Sequence, residues 1–459
     1  MDEMKTTIFR AYDIRGCYGS DIDPIIFYKI GLSAGTYVKE KLHGKSLAVG
    51  NDIRKTSQTL AYSFISGVTA TGINVMYTGT SSFGQTLFYG WKNKYDLISF
   101  ITASHLPAEW NGIKFYYGDG VGLPEEELMK IRDKTLHQQW HISPWNQTGT
   151  VQLCNPSLDY TKFVTSHFSS KKGLRIAIDC GGGSMTLSAP EIFKKIGFDI
   201  VSIYCQPDPL FSQRPSDPKP KNLSTLVETV KKQQCDFGVA FDGDGDRSVI
   251  VDNNGEILSA DQTGIILAKY GLEEKKGTII ANVECSKAVE EQLRPLGFNI
   301  KQIEVGHTFL TLHAKKEHSP LGIESSGHLI LPSYYLFDDA LLIPLKIAEI
   351  LEKTDKKLSS LRNNIPIYPL KKIEIPCDDE IKFDVIKTLK AVMIKEYDQV
   401  NTLDGIRVNL EKGWILIRAS NTSPLLRLTI EADTEEYATE LSEIFLRKTD
   451  EIIKKTHSV

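Results

Sequence analysis

FGVAFDGDGDRSVIVD, residues 237–252, sets the reading of the whole chain. An apolar run leads into Asp242, Asp244 and Asp246, which alternate with Gly243 and Gly245 and end at Arg247. A second apolar run follows. Short apolar runs bounded by turn residues are strands. Three carboxylates on a tight turn repel by roughly 4 kcal/mol per close pair at an effective dielectric of ~20. The turn therefore calls for a cation, or its carboxylates splay into water; an oxygen-only site suits a hard ion such as Mg²⁺. It is not an EF-hand, because Arg247 replaces the sixth-position glycine and Asn253 the twelfth-position glutamate.

The same strand-then-polar-turn pattern recurs. LAVGNDIR (47–54), LRIAIDCGGGS (174–184) and GTIIANVECS (277–286) each open a unit. A helix-like stretch follows, ending at Gly72, Gly197 or Gly297, positions that fit helix C-caps. Each glycine opens a second strand: GINVMYTG (72–79), GFDIVSIY (197–204) and GFNIKQIEVG (297–306). A third strand then carries an unusual motif at its end, in YDLISFITASH (95–105), CDFGVAFDGDGDR (235–247) and SPLGIESSGH (319–328). Alternating strands and helices imply mainly parallel sheets, with ligands beyond the carboxyl ends of the strands. Three such motifs imply one shared cleft.

Past about residue 367 the pattern becomes antiparallel: KKIEIPC (371–377), GIRVNLEKGWILIRAS (405–420) and LLRLTIEA (425–432), closed by a helix over 435–455. The expected units are 1–150, 151–253, 254–367 and 368–459. Linker candidates are 141–157 and the stiff, proline-rich 206–220.

Composition narrows the function. The chain has 459 residues, 41% hydrophobic and 24% charged, which is that of a multidomain globular protein. A net charge of -4 gives no basic field for nucleic acid. The longest greasy stretch, 340–351, is broken by Pro344 and Lys346, so no membrane span is expected. Seven scattered cysteines without a CxxC pair read as reduced thiols, and a cytoplasmic protein is expected.

Two further loops suggest sugar phosphates. GIESSGH (322–328) mixes a carboxylate, hydroxyls and an imidazole, as vicinal sugar hydroxyls require. In WILIRASNTSPLLRLTIEA (414–432), hydroxyls and amides lie between Arg418 and Arg427, a surrounding suited to a phosphate monoester. ITASHLPAEWNGIK (101–114) places Ser104 at a strand end, where a phosphate on it would complete the shell of a carboxylate-bound ion.

Taken together and in this order, these loops resemble those of the α-D-phosphohexomutase superfamily. Its marks are an N-terminal arginine segment, a Thr-Ala-Ser-His-Asn-Pro loop, an Asp-Gly-Asp-Gly-Asp-Arg loop, a Gly-Glu-x-Ser-Gly-His loop and an Arg-x-Ser-Asn-Thr loop. FRAYDIRG (9–16) resembles the phosphomannomutase/phosphoglucomutase branch. The Gly-Thr-Asp-Gly-x-Arg-Gly start of phosphoglucosamine mutases is absent. The resemblance implies three similar α/β/α domains with mixed sheets and a C-terminal α+β, TATA-binding-protein-like domain around a central cleft. It implies an isomerase that interconverts hexose 1-phosphate and hexose 6-phosphate of mannose or glucose through a 1,6-bisphosphate. Phosphoglucosamine mutase and a Mg²⁺-dependent sugar-phosphate phosphatase are the alternatives.

It further implies that Ser104 carries the phosphoryl group and joins Asp242, Asp244 and Asp246 around Mg²⁺. Arg247 would position the serine loop or the sugar. Glu324, Ser326 and His328 would grip sugar hydroxyls. Arg418, Ser420, Asn421, Thr422 and Arg427 would hold the idle phosphate. Tyr12 would lie near the reacting groups, and the candidates for proton transfer are Arg15, Lys114, His105 and His307. A monomer or weak homodimer is expected. Four departures from the family pattern stand out: Leu106 for asparagine, Asn51 for arginine, Glu284 for lysine and Ile323 for glycine.

Overall fold

The computed structural model describes residues 4–272, 276–420 and 424–457. Four sheets organise it. The first contains β1 (Asp13–Cys17), β2 (Ser46–Asn51), β3 (Asn74–Thr80), β4 (Leu97–Ile101), β5 (Trp110–Tyr117) and β6 (Val151–Leu153), in the order β1-β5-β4-β2-β3-β6. The second has β7 (Arg175–Asp179), β8 (Asp199–Ile203), β9 (Phe237–Phe241) and β10 (Ser248–Asp252), in the order β10-β9-β7-β8. The third has β11 (Gly277–Asn282), β12 (Phe298–Ile303), β13 (Gly322–Ile323) and β14 (Leu329–Ile330), in the order β12-β11-β13-β14.

The three sheets share one plan. In each, the opening strand is central and pairs in parallel with the second and third strands. A fourth strand returns antiparallel beside the third. The glycines behave as the sequence predicts: Gly72, Gly197 and Gly297 have φ of 88°, 108° and 97°. That left-handed region suits glycine, which lacks the Cβ that would clash there. The motifs therefore sit in the reversal between third and fourth strands. Asp242 directly follows β9, Glu324 directly follows β13, and Ser104 lies just past β4.

The C-terminal sheet is antiparallel throughout, with β15 (Leu370–Pro376), β16 (Val400–Asn401), β17 (Ile406–Leu410), β18 (Gly413–Ala419) and β19 (Leu425–Ala432) ordered β15-β19-β18-β17-β16. Helix Glu435–His457 covers it, as expected. A second helix, Lys382–Glu396, was not foreseen. It buries Val385, Leu389 and Met393, one residue per turn, while its remaining positions are rich in lysine.

Two expectations about connections change. The first sheet runs past residue 150, because Val151–Leu153 pairs in parallel with β3. Part of the 141–157 candidate linker is therefore strand. The proline-rich 206–220 segment does not join domains. It lies within the second unit and packs inward: Arg214 and Ser216 are buried. Arg214 donates to Asp179 Oδ1 at 3.1 Å and to the Phe241 carbonyl at 2.6 Å, just before the acidic turn.

The serine loop is held by a buried cradle. Arg54, 3% exposed, donates to the carbonyls of Ser104 and Leu106 at 2.7 Å and of Pro107 at 2.5 Å. Ser216 Oγ donates to the carbonyls of His105 at 2.6 Å and Leu106 at 2.9 Å. The backbone of 104–107 is thus fixed without help from the side chain at position 106. Behind Arg54, Asp52 accepts from its Nε at 3.0 Å, from Thr102 Oγ1 at 2.8 Å and from Ser57 Oγ. Burial pushes the Asp52 carboxyl up, and Arg54 opposes that shift. Removing Arg54 would strand this carboxylate in the core. Arg54→Ala is expected to cost about 3–5 kcal/mol of unfolding free energy by urea denaturation. Asp52→Asn combined with Arg54→Met should lose less than Arg54→Ala, because no buried charge is then left alone.

Candidate active site

The acidic turn is wholly buried: Asp242, Asp244 and Asp246 are each at most 1% exposed. Their carboxylate oxygens lie within 4.8 Å of one another. The turn is tight for a physical reason. A Cβ on Gly243 would come within 2.5 Å of the Ser104 carbonyl, and Gly245 has φ of 85°. Neighbouring domains fix its backbone, since Phe83 N donates to the Asp244 carbonyl at 2.9 Å and Ala340 N to the Gly245 carbonyl at 3.2 Å.

The charge is balanced by one cation from another domain and one at the end of the turn. Lys114 reaches across from β5, its Nζ 3.1 Å from Asp244 Oδ2 and paired also with Asp246 Oδ2. Arg247 donates from Nε and Nη2 to Asp242 Oδ2, both at 3.2 Å. Burial opposes the Asp246 charge, but Lys114, His328 and Arg247 outweigh it and hold that carboxyl well below the usual range. Burial, with the charges of Asp246 and Asp244, pushes Asp242 the other way. Two oxygens, Asp244 Oδ1 and Asp246 Oδ1, are buried without a hydrogen-bond partner among the described residues. Buried carboxylate oxygens ordinarily find a donor or a metal. The donor set therefore fits a hard divalent cation.

Ser104 meets this turn from the first domain. Its Oγ donates to Asp242 Oδ2 at 3.1 Å, and its φ is 52°, left-handed for a non-glycine residue. Such strain persists only where surroundings over-determine it, and the Arg54 cradle does so here. The turn also brings Ser104 Oγ to 3.3 Å from His105 Nδ1.

The other predicted residues assemble around this pair. Arg247 Nη1 reaches the Ser326 carbonyl at 3.4 Å, joining the acidic and sugar loops. Glu324 accepts from Gly306 N at 3.0 Å and from Ser326 Oγ at 2.6 Å. His307 opens the helix His307–Glu317 and stacks on His328, with ring centroids 5.5 Å apart. Tyr12 donates to the Val305 carbonyl at 2.9 Å and meets the His307 ring edge-on. Arg15 pairs with Asp13 at 2.6 Å.

The imidazoles divide by charge. Burial and then nearby cations push His105 and His307 far below the ordinary histidine range, so both are neutral. Burial works the same way on His328, but Asp246 and Asp338 reverse it and lift that ring to about 9.

The fourth domain contributes less directly. Arg418 pairs with Glu284 at 3.0 Å and Asp404 at 3.3 Å. Glu284, the residue that departs from the family pattern, thus ties the third domain to the fourth. Arg427 lies across the β18–β19 ladder from Arg418. Ser420 is buried, with its carbonyl 2.7 Å from Lys382 Nζ. Asn421 and Thr422 lie outside the described residues. Asn51 and Ile323 point to structure instead: Asn51 accepts from Tyr77 at 2.5 Å, and Ile323 packs in the core.

Sequence reading missed Arg54, Ser216, Asp338 and Asp404. Asp338 bonds His328 Nδ1 and stands in the Asp338-Asp339 pair of an otherwise apolar stretch, a signal that was available. Ser216 and Arg54 carried no such mark.

Comparison with known proteins agrees with the four-domain fold. Residues 6–141, 158–255 and 259–368 match the phosphoglucomutase/phosphomannomutase alpha/beta/alpha domains I, II and III, and 373–448 match the C-terminal domain. A probable phosphoglucosamine mutase of Methanopyrus kandleri is 32% identical over 95% of this chain and 96% of its own. A phosphoglucomutase/phosphomannomutase of Thermococcus kodakarensis is 30% identical over 97% of this chain and 99% of its own. The crystal structure of a phosphoglucomutase/phosphomannomutase family protein from Burkholderia thailandensis superposes with a TM-score of 0.89, at 24% identity, over 99% of this chain and 98% of that one. With its four domains in order around one acidic turn and one buried serine, the chain belongs to the phosphoglucomutase/phosphomannomutase family, within the α-D-phosphohexomutase superfamily.

Proposed function

We propose that this chain interconverts the 1-phosphate and 6-phosphate of glucosamine through a phosphate carried on Ser104. The observation that carries the phosphoryl-transfer reading is the serine itself: Ser104 Oγ, buried and strained, lies 3.1 Å from Asp242 Oδ2. Phospho-Ser104 gives its phosphoryl group to the free sugar hydroxyl. The bond from phosphorus to Oγ breaks, a bond to the sugar oxygen forms, and the hydroxyl proton leaves to one of the groups assigned to proton transfer, Arg15, Lys114, His105 or His307. The 1,6-bisphosphate then reorients, and its other phosphate returns to Ser104.

Lys114 and Arg247 place positive charge beside the transferring oxygens. Asp242, Asp244 and Asp246 would hold Mg²⁺ together with an oxygen on Ser104. That ion, when bound, supplies charge stabilisation to the phosphoryl group. Arg418, Ser420 and Arg427, with Asn421 and Thr422, are assigned to the idle phosphate. Glu324, Ser326 and His328 are assigned to the sugar hydroxyls.

The names of relatives support an amino sugar over glucose or mannose: several that match across the full length are called probable phosphoglucosamine mutase. The glucose or mannose reading keeps support from FRAYDIRG and from the Thermococcus relative's name.

Initial rates on glucosamine 1-phosphate, glucose 1-phosphate and mannose 1-phosphate, with a trace of the matching 1,6-bisphosphate, separate these readings. The amino sugar is expected to give the highest kcat/KM. A higher value for glucose or mannose reverses the sugar assignment. Release of inorganic phosphate in place of isomer would make the chain a phosphatase. Ser104→Ala should lower isomerisation by about 10³-fold or more, the scale seen when a nucleophile is removed. Full activity in that variant contradicts the mechanism.

A further inference from the structure

We infer that Cys180 and Cys205 form a dithiol site that closes reversibly to a disulfide, separate from the sugar-phosphate cleft. Their sulfurs lie 3.2 Å apart, in direct contact although the residues are 25 positions apart in sequence. The fold builds this contact. Cys180 follows β7 and Cys205 lies just beyond β8, the two being parallel neighbours. Cys180 N donates to the Ile203 carbonyl at 3.1 Å, which continues the ladder past the strand ends. Tyr204 then has φ of 47°, a left-handed step for a non-glycine residue. That step turns the chain so that Cys205 faces back onto Cys180. The turn is held in place, since Gly182 N donates to the Tyr204 carbonyl at 2.8 Å.

The pair also has the exposure that exchange chemistry needs. Cys180 is fully buried in the core, whereas Cys205 is only part-buried. An oxidant can therefore meet Cys205 first, with Cys180 waiting behind it. The hydrogen bond with Cys180 holds the Cys205 thiol below its ordinary value, and burial pushes the Cys180 thiol well above its own. Cys205 is the sulfur that ionises first, and the thiolate is the attacking species.

The co-reactant is a small organic disulfide. The Cys205 thiolate attacks one of its sulfurs, forming a mixed disulfide and releasing one thiol. Cys180 loses its proton and attacks the Cys205 sulfur, releasing the second thiol. Two protein thiols are oxidised and one small disulfide is reduced to two thiols. A bonded pair stands ~2.05 Å apart, so closure needs about 1 Å of approach. The bond would fasten the turn 180–184, where Ser184 N donates to the Gly243 carbonyl at 2.9 Å behind the acidic loop.

Mass spectrometry tests this on the full chain. The reduced, folded protein is equilibrated with a hundredfold excess of oxidised over reduced dithiothreitol, quenched in acid, unfolded and alkylated with N-ethylmaleimide. The native protein is expected to lose two of its seven alkylatable thiols, with a digest linking the peptides of Cys180 and Cys205. Cys205→Ser, its fold checked by circular dichroism, should keep every remaining thiol. Seven labels on the native protein, a linkage between other cysteines, or the same two-thiol loss in Cys205→Ser overturns the proposal. The digest of the native protein alone decides the matter if the variant does not fold.

Discussion

Three carboxylates with almost no solvent contact are the constraint from which the rest of this molecule follows. Buried like charges are tolerable only when opposite charge is brought to them. Here none of it comes from the strand that leads into the turn. Lys114 arrives from the first sheet, and Arg247 spans from the turn itself to the sugar loop. Domain packing is thereby tied to charge balance. Separating the first and second domains would take Lys114 away from Asp244 and Asp246.

The same arrangement explains why the serine sits where it does. Ser104 is held by its backbone, through Arg54 and Ser216, rather than by its side chain. Its Oγ is left facing Asp242. A group that must gain and lose a phosphate needs a fixed origin with a side chain that stays accessible to chemistry. The arginine cradle supplies the first, and the left-handed turn aims the second. Replacement of asparagine by Leu106 leaves this intact, because the loop's hydrogen bonds run through carbonyls.

Much of this could be read from residues alone. The three repeated units, their glycine caps and the position of each motif at a third-strand end follow from period and turn chemistry, which are local. The antiparallel fourth domain followed from the same reasoning. What escaped was non-local or masked by charge. Arg54 looks like any loop arginine until the serine loop folds over it. The proline-rich 206–220 segment reads as a stiff linker, because proline content says nothing about what Arg214 and Ser216 will touch. The helix Lys382–Glu396 hid its narrow apolar stripe among lysines. Asp338 was available from its doublet, yet its role in charging His328 depends on a partner ten positions away. Glu284 was noticed as a departure, but its pairing with Arg418 across two domains was beyond sequence reasoning.

Because the unsatisfied oxygens of Asp244 and Asp246 are what call for a cation, ligand-linked stability is the most direct measure. A ligand that binds only the folded state raises stability, by ~2.7 kcal/mol at a hundredfold excess over its Kd. The thermal midpoint of the native protein should climb with added Mg²⁺, and the Asp242→Asn, Asp244→Asn double variant should stay flat. A native protein indifferent to Mg²⁺, or a variant that responds equally, would mean that Lys114 and Arg247 alone answer the charge and that no metal belongs there.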